Sequence, residues 1–228
     1  MDLHLFSTPG RDDIRYVLDA CRPSLEGKED PLVAYLPAGS LANEWQEYTE
    51  NAFRGLGRVA TLDTEMMTLP EMEALLRDAA LVYLPGGNTT LLNHRLHLCK
   101  IMDYLRKKVA AGLPVVAFSA GTVLCGKNIL TSNNLNIVPT TSFKGLEAVP
   151  FNFNVHYPED PLARAVRDDW LSEYHTFHDN PVILLADGAY VRVEGKKTTL
   201  VHGPAWILRK GREKQGLVEG KPIKFAEE

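Results

Sequence analysis

The sequence is poor in cysteine, has no long apolar run and carries no excess of basic residues. Its three cysteines, Cys21, Cys99 and Cys125, are odd in number and far apart, which argues against a disulfide framework or a cysteine metal site. No apolar stretch approaches the ~18 residues of a membrane-spanning helix. Lys and Arg number 25 against 29 Asp and Glu, so the net charge of -4 offers no basic excess for nucleic acid. We therefore expect neither nucleic acid nor a membrane as a partner.

The N-terminus lacks a basic segment followed by a long apolar one, which would indicate a signal peptide. With so few cysteines, this predicts a reducing compartment, and we expect a cytoplasmic location. The 228 residues, 45% of them apolar, suffice for one substantial core or at most two small domains. Because no linker, repeat or low-complexity segment is visible, we predict a single domain over residues 1–228.

Strand and helix patterns alternate through the first half of the chain. Apolar runs are typical of strands buried on both faces of a parallel sheet, and the segments between them have helical spacing. This alternation predicts an α/β fold with a mostly parallel central sheet and helices on both faces. The predicted strands are 2–7, 31–37, 58–62, 80–84 and 115–118, and the predicted helices are 11–25, one from about residue 43, 69–78 and 89–111, the last with room for one break.

The second half of the chain is less regular. Residues 131–150 are polar and are predicted to form a wall or lid. The stretches 189–193 and 198–202 flank a Glu-Gly-Lys-Lys turn, which predicts a C-terminal β-hairpin. The other predicted elements are strands at 151–155, 182–185 and 205–209 and a helix at 161–174, whose core side we assign to Leu162, Ala165, Val166, Trp170 and Leu171.

The apolar run at 115–118 ends abruptly in Ser119, Ala120 and Gly121. A sharp strand-to-helix turn of this kind lifts its central side chain clear of the sheet and needs small neighbours, because a bulky side chain has no room. The usual pattern is G-x-S-x-G, and Ala117 makes the match partial. Ser119 is therefore a candidate nucleophile, although many buried strands run into such turns without any chemistry.

A nucleophilic serine needs a base, an orienting acid and an oxyanion site. Among seven histidines, His156 follows a predicted strand, at the same kind of strand end as Ser119. Asp187 ends an apolar strand, although an ordinary Asp-Gly turn would look the same. Backbone N–H groups of Gly87 and Ala120 could form the oxyanion hole. The spacing of His175 and His178 could suit a metal, but no third ligand is visible, which favours a solvated helix end.

The order of these motifs resembles the peptidase E (aspartyl dipeptidase) family of serine peptidases, relatives of cyanophycinase with a three-layer, class I glutamine-amidotransferase-like fold. The resemblance implies Ser119 as nucleophile, His156 as base and Asp187 as the third member. It also implies Gly87 and Ala120 as oxyanion donors, Gly86 and Asn88 beside the substrate, and no metal or organic cofactor. The segments that carry it are Pro85-Gly86-Gly87-Asn88-Thr89, Phe118-Ser119-Ala120-Gly121, Thr131-Ser132-Asn133-Asn134, Asn154-Val155-His156 and Ala186-Asp187-Gly188.

Several positions depart from the family pattern. Phe118 stands where the family often has tryptophan, and Val155 where it often has proline. Asp187 stands where many members have glutamate, so its backbone must lie closer to His156 or the pairing is looser. In aspartyl dipeptidases an arginine in this region receives the substrate's aspartate side chain. Arg164 is our first candidate for it and Arg167 the second, and both could equally solvate the helix at 161–174.

We therefore predict a serine exopeptidase of dipeptidase or aminopeptidase type that acts on short peptides, with Asp-Xaa dipeptides as the specific case. One alternative is a cyanophycinase-like hydrolase of another amide. The other is a non-catalytic ligand-binding protein of the same fold. The sequence leaves the preferred N-terminal residue of the substrate and a homo-oligomeric state open.

Overall fold

The computed structural model describes residues 1–8, 14–43 and 46–225, and its elements follow the predicted alternation. The strands are β1 (Asp2–Phe6), β2 (Leu32–Tyr35), β3 (Arg58–Thr61), β4 (Leu81–Leu84), β5 (Val115–Phe118), β6 (Asn152–Asn154), β7 (Val182–Leu185), β8 (Tyr190–Glu194), β9 (Lys197–His202), β10 (Ala205–Leu208) and β11 (Gln215–Gly216). The helices are α1 (Ile14–Leu25), α2 (Gln46–Ala52), α3 (Leu69–Asp78), α4 (Thr89–Leu98), α5 (Met102–Ala110), α6 (Ala120–Leu124) and α7 (Pro161–Phe177). Residues 11–13 and 44–45, which we assigned to the first two helices, lie outside the described residues.

The larger sheet has seven strands in the order β3-β2-β4-β5-β1-β8-β9. The first five of these strands are mutually parallel, and the hairpin β8–β9 adds two antiparallel strands at the β1 edge. In β1, Phe6 is in register with Phe118 of β5 on one side and with Tyr190 of β8 on the other. The parallel central sheet and the C-terminal hairpin are therefore confirmed.

The remaining strands form a second sheet in the order β11-β10-β7-β6, which the sequence analysis did not separate from the central one. Strands β6 and β7 are parallel, with Asn154 in register with Leu184. The pattern of apolar residues identified β6, β7 and β10 but not the exposed, two-residue strand β11. It could not identify the partners of these strands, because pairing is decided by contacts far apart in the chain.

The core lies on both faces of the larger sheet, because successive side chains of a strand point to opposite faces. In β5, Val116 and Phe118 pack with Val17 and Cys21 of α1 in one buried cluster. The other face holds a larger cluster, which contains side chains of α3 to α6 and, from the second sheet, Ile183 among others. Both sheets thus contribute to one apolar core, while the division of residues 1–228 into domains stays a prediction.

Helix α7 packs on the outer face of the second sheet, and most of the side that we predicted to be buried is exposed. The prediction is confirmed for Leu171 and is wrong for Leu162, Ala165, Val166 and Trp170. Leu162 is 80% exposed and Trp170 is 53% exposed, whereas Leu171 and Tyr174 are buried against strand β7. The inner side of α7 also carries Arg164, Arg167 and Asp168, which make hydrogen bonds with neighbouring loops and strands. A search for apolar residues at helical spacing does not find an inner face of this kind, because its side chains are polar and contact the protein through hydrogen bonds.

Helices α4 and α5 confirm the expected break in the long helical segment, which falls at residues 99–101. Lys100 in this break has a positive φ of 64°, which ends the regular helix. Among the helices of the described segments, none is long and apolar enough to cross a membrane.

Candidate active site

The candidate site lies where the carboxyl ends of strands from the two sheets meet. Ser119 follows β5 of the larger sheet, while His156 and Asp187 follow β6 and β7 of the second sheet. Since β6 and β7 are parallel neighbours, the residues beyond their carboxyl ends come close together. The sheets therefore bring together three side chains that are widely separated in sequence.

Ser119 occupies a strained turn between β5 and α6, with φ of 43° and ψ of -107°. Its backbone N–H donates to the carbonyl oxygens of Phe6 at 3.0 Å and Ser7 at 3.1 Å, which ties the turn to β1. Gly121 must lack a side chain here, because a Cβ atom would lie 2.6 Å from the carbonyl oxygen of Leu84. The turn thus has the geometry that the Ser-Ala-Gly sequence predicts, with Ala117 at its first position fully buried in β5.

The three side chains form a continuous hydrogen-bonded relay. Ser119 Oγ lies 2.8 Å from His156 Nε2, and His156 Nδ1 lies 2.6 Å from Asp187 Oδ1. Because an ionised carboxylate can only accept, Nδ1 carries the ring proton and Nε2 presents a lone pair to the serine hydroxyl. The shorter aspartate side chain still reaches the imidazole. This arrangement can remove a proton from Ser119 as it attacks an electrophile.

The Gly86-Gly87 loop approaches Ser119 closely. A Cβ atom on Gly86 would lie 3.4 Å from Ser119 Cβ, and one on Gly87 would lie 2.6 Å from the carbonyl oxygen of Gly39. Gly87 also has a φ of 129°, which side-chain-bearing residues rarely adopt. Within the described part of the chain, neither the Gly87 nor the Ala120 backbone N–H donates a hydrogen bond. Both groups can therefore donate to a bound oxyanion.

The side chain of Asn88 serves the structure of this loop. Its Oδ1 accepts from the N–H of Leu91 at 3.0 Å and so caps α4, and its Nδ2 donates to the carbonyl oxygen of Leu135 at 3.1 Å. Nearby, Asn134 Oδ1 accepts from the N–H of Thr89 at 3.0 Å. These contacts attach the irregular segment 131–135 to the start of α4.

The same segment is also attached to β6. Asn133 Nδ2 donates to the carbonyl oxygen of Val155 at 2.6 Å, and Asn154 Nδ2 donates to Asn133 Oδ1 at 2.6 Å. Thr131 Oγ1 donates to the carbonyl oxygen of Phe153 at 2.7 Å. Segment 131–135 therefore spans from the glycine loop to the strand that carries His156, as a wall of the site would.

Arg164 lies against the loop that follows His156. Its Nε donates to the carbonyl oxygen of Pro158 at 3.0 Å, and its Nη2 donates to that of Glu159 at 3.3 Å. The guanidinium also lies over the rings of Trp206 and Tyr157, 5.3 and 5.6 Å from their centroids. Its contacts are therefore with the protein itself, on the loop at 157–159.

Arg167 is half-buried and less completely paired. Its Nη1 donates to Asn154 Oδ1 at 3.0 Å, while its Nε is buried without a hydrogen-bond partner. No carboxylate of the described residues forms an ion pair with it, and burial lowers the pKa of this guanidinium because it disfavours the charged form. The guanidinium also lies over the ring of Trp170, 5.6 Å from its centroid. Asn154 stands two residues before His156, so Arg167 bonds to the strand that leads to the relay.

The side chains of Cys125 and His175 are both buried. Cys125 follows α6 but is fully buried, and burial raises the pKa of its thiol to about 12. Within residues 1–8, 14–43 and 46–225, no three His, Cys, Asp or Glu side chains are grouped to hold a metal ion. The interpretation of His175 as part of a solvated helix end is wrong, because it is 5% exposed and its Nδ1 bonds to the carbonyl oxygen of His178.

Sequence reasoning missed the residues that support the relay from behind. The buried Ser7 contacts the backbone or side chain of all three relay residues, and Asn154 links segment 131–135 to Arg167. The position of Ser7 in the sequence could have identified it, because it is a polar residue directly after the apolar strand β1. Polar residues at the carboxyl ends of parallel strands lie where such folds bind ligands.

The comparisons with known proteins indicate one family of peptidases. The model of peptidase family S51 matches residues 6–201. A probable alpha-aspartyl dipeptidase of Drosophila melanogaster is 39% identical over 140 residues, which cover 59% of this chain and 58% of that protein. Peptidase E of Nostoc sp. (strain PCC 7120 / SAG 25.82 / UTEX 2576) is 28% identical over 188 residues, 80% of this chain and 78% of that protein.

The fold is also similar to that of solved structures. A peptidase from an acI-B1 Actinobacterium superposes with a TM-score of 0.71 over 98% of this chain and 96% of that one, at 19% sequence identity. The S51 model covers most of the chain, from the end of β1 to β9, and includes the strained serine turn. The chain therefore belongs to peptidase family S51 and is a serine peptidase.

Proposed function

We propose that the protein hydrolyses short peptides, with Ser119 as the nucleophile, His156 as the general base and Asp187 as the residue that orients the imidazole. The observation that carries this proposal is the relay itself, with separations of 2.8 and 2.6 Å, on a serine in a strained turn. Strained backbone at a nucleophile persists only where the surrounding structure holds it, and it is concentrated at functional sites.

The relay accounts for each proton in the reaction. Ser119 Oγ attacks the carbonyl carbon of the scissile bond while His156 Nε2 takes its proton, and the resulting imidazolium is stabilised by Asp187. The tetrahedral oxyanion accepts hydrogen bonds from the N–H groups of Gly87 and Ala120, each worth about 2.7–4 kcal/mol in comparable sites. His156 then protonates the leaving amine. A water molecule then attacks the acyl group while His156 Nε2 takes its proton, and His156 returns this proton to Ser119 Oγ as the acid product leaves.

We propose Asp-Xaa dipeptides as the preferred substrates. The name of the Drosophila melanogaster relative, a probable alpha-aspartyl dipeptidase, motivates this choice. An aspartate carboxylate would also compensate the half-buried positive charge of Arg167, with which no carboxylate of the described residues forms an ion pair. These contacts favour Arg167 over Arg164, whose guanidinium is already bonded to Pro158 and Glu159. Gly86 would line the pocket, and Asn88 would act through the loop that it caps.

A serine-reactive fluorophosphonate probe tests the nucleophile directly. We expect the probe to label the wild-type protein at Ser119, and Ser119→Ala to abolish both labelling and turnover. Cys125→Ala is the matched control and should keep both. A chain of this fold that only binds ligands would show no labelling at Ser119, and this outcome would contradict the proposal.

A dipeptide library read by mass spectrometry tests the substrate class, with Ser119→Ala as the blank. We expect products from Asp-Xaa dipeptides first and no cleavage within long peptides. Release of fragments from a branched β-aspartyl-arginine polymer, with little dipeptide cleavage, would instead indicate a cyanophycinase-like hydrolase.

A further inference from the structure

Ser7 lies at the junction between the two sheets, directly behind the relay. It follows β1, whose last residue Phe6 is in register with Phe118, so Ser7 and Ser119 are neighbours across the two strand ends. Its side chain is fully buried, with 0% exposure. A buried serine needs hydrogen-bond partners, and those of Ser7 are the relay residues and their strands.

Ser7 contacts each of the three relay residues through a different atom or bond. Its carbonyl oxygen accepts from the backbone N–H of Ser119 at 3.1 Å, and its Oγ accepts from the backbone N–H of His156 at 2.9 Å. The hydroxyl proton faces Asp187 Oδ1 and the carbonyl oxygen of Leu185, both at 3.3 Å. Because the hydroxyl has one proton, these two acceptors share it or alternate.

The bond to His156 holds a backbone that is unfavourable in isolation. His156 has a φ of 52°, in the left-handed region that residues with side chains rarely occupy. Its N–H is fixed by Ser7 Oγ, and the next N–H, that of Tyr157, donates to the carbonyl oxygen of Leu185 at 2.9 Å. Ser7 belongs to the larger sheet, whereas these residues belong to the second one. Its hydroxyl thus joins the larger sheet, which carries Ser119, directly to the second sheet, which carries His156.

We propose that Ser7 is a positioning residue that sets the imidazole of His156 and the carboxylate of Asp187 relative to Ser119. This inference rests on the proposed function, in which these three residues carry out the chemistry. Ser7 makes no contact with the substrate in this scheme and acts only through the relay. Its hydroxyl therefore contributes to turnover rather than to substrate affinity.

The test removes this hydroxyl and separates kcat from KM. In Ser7→Ala, kcat should fall roughly 10- to 100-fold, as expected for loss of a hydrogen bond to a charged pair, while KM stays within about twofold. The rate of labelling by a fluorophosphonate probe should fall in parallel. Both are measured at a temperature at which circular dichroism shows the variant and the wild type to be folded.

Ser24→Ala is the matched control, because Ser24 is also a buried serine, 8% exposed. It lies in the last turn of α1. This helix runs from the carboxyl ends of the strands, where the site lies, back to their amino ends, where β2 begins. Its kcat should be within about twofold of the wild type. Ser7→Cys keeps a side chain of similar shape with a weaker donor and acceptor, and its kcat should lie between those of Ser7→Ala and the wild type.

A double-mutant cycle with Asp187→Asn shows whether Ser7 acts through the relay. Once the amide has replaced the carboxylate, the orientation of the imidazole is already lost, so adding Ser7→Ala should lower kcat less than about threefold. The proposal is overturned if Ser7→Ala keeps wild-type kcat, if its effect is on KM, or if its full effect persists beside Asp187→Asn. Failure of the proposed function would look different, because either the wild type would then show no turnover or Ser119→Ala would retain it.

Discussion

The imidazole Nδ1 of His156 lies 2.6 Å from Asp187 Oδ1, although the two residues are 31 positions apart in the chain. The parallel pairing of β6 with β7 produces this contact, with Asn154 opposite Leu184. The register places the two strand ends close enough for the short side chain of aspartate.

Asp187→Asn should lower kcat by about 10⁴, because an amide at this position no longer holds the imidazole tautomer that presents a lone pair to Ser119. Substrate binding should persist and can be measured by calorimetry on the Ser119→Ala background. Asp187→Glu keeps a carboxylate acceptor and should lose less activity than Asp187→Asn. Near-normal turnover of the asparagine variant would assign the orienting role to another acid.

Ser119→Ala should reduce turnover to below a few per cent of the wild type and leave the fold intact. Cys125→Ala should retain full activity, because the buried thiol has a raised pKa and little thiolate forms at neutral pH. Initial rates and circular dichroism of both variants check these expectations. Activity that survives in Ser119→Ala but is lost in Cys125→Ala would identify the thiol as nucleophile.

Activity should fall on the acid side of the pH profile. A protonated His156 has no lone pair on Nε2 and cannot accept the proton of Ser119, so kcat/KM should fall tenfold per pH unit in the acid limb. Met-Leu is the suitable substrate, because its side chain does not titrate. A flat profile from about pH 5 to about pH 8 would contradict a histidine base.

Arg167→Lys should lower kcat/KM for Asp-Leu by roughly 10- to 100-fold, since lysine cannot reproduce the planar, two-pronged contact with a carboxylate. For Met-Leu, kcat/KM should change less than about threefold. Arg164→Lys is the matched control and should affect both substrates alike, because Arg164 bonds to the loop after His156. If the wild type cleaves Met-Leu faster than Asp-Leu, the pocket is apolar and Arg167 has a structural role.

The two sides of α7 should differ sharply in their effect on stability. Leu171→Ala removes a buried side chain and should lower the free energy of unfolding by about 2–5 kcal/mol. Leu162→Ala alters a side chain that is 80% exposed and should change it by less than about 0.5 kcal/mol. Urea denaturation of both variants provides the measurement. Equal losses would mean that Leu162 is covered in solution.

The order of the elements was predictable from the sequence, because buried parallel strands are apolar along their whole length. Val115 to Phe118 and Val182 to Leu185 are such runs. Ser119 directly follows the first, and Asp187 follows the second after Ala186. The break between α4 and α5 and the hairpin of β8 and β9 were equally visible. These features depend on neighbours in the chain, which a sequence pattern records directly.

The features that escaped prediction depend on residues far apart in the chain. Nothing in the three residues of β6 indicates that they pair with β7 in a separate sheet. The importance of Ser7 arises from bonds to residues 149 and 180 positions away. Likewise, the sequence analysis ranked Arg164 before Arg167, and the order is reversed only by their partners, Pro158 for Arg164 and Asn154 for Arg167.

Because the relay is divided between two sheets, the rate of turnover depends on the position of one sheet relative to the other. Ser119 follows a strand of the larger sheet, whereas His156 and Asp187 follow strands of the second one. A displacement of about 1 Å between them would break the serine–histidine bond and can cost about 10²-fold in rate, even while each sheet keeps all its own hydrogen bonds. Substitutions in the core between the sheets, for instance at Phe153 or Ile183, would therefore lower the turnover rate before they unfold the protein.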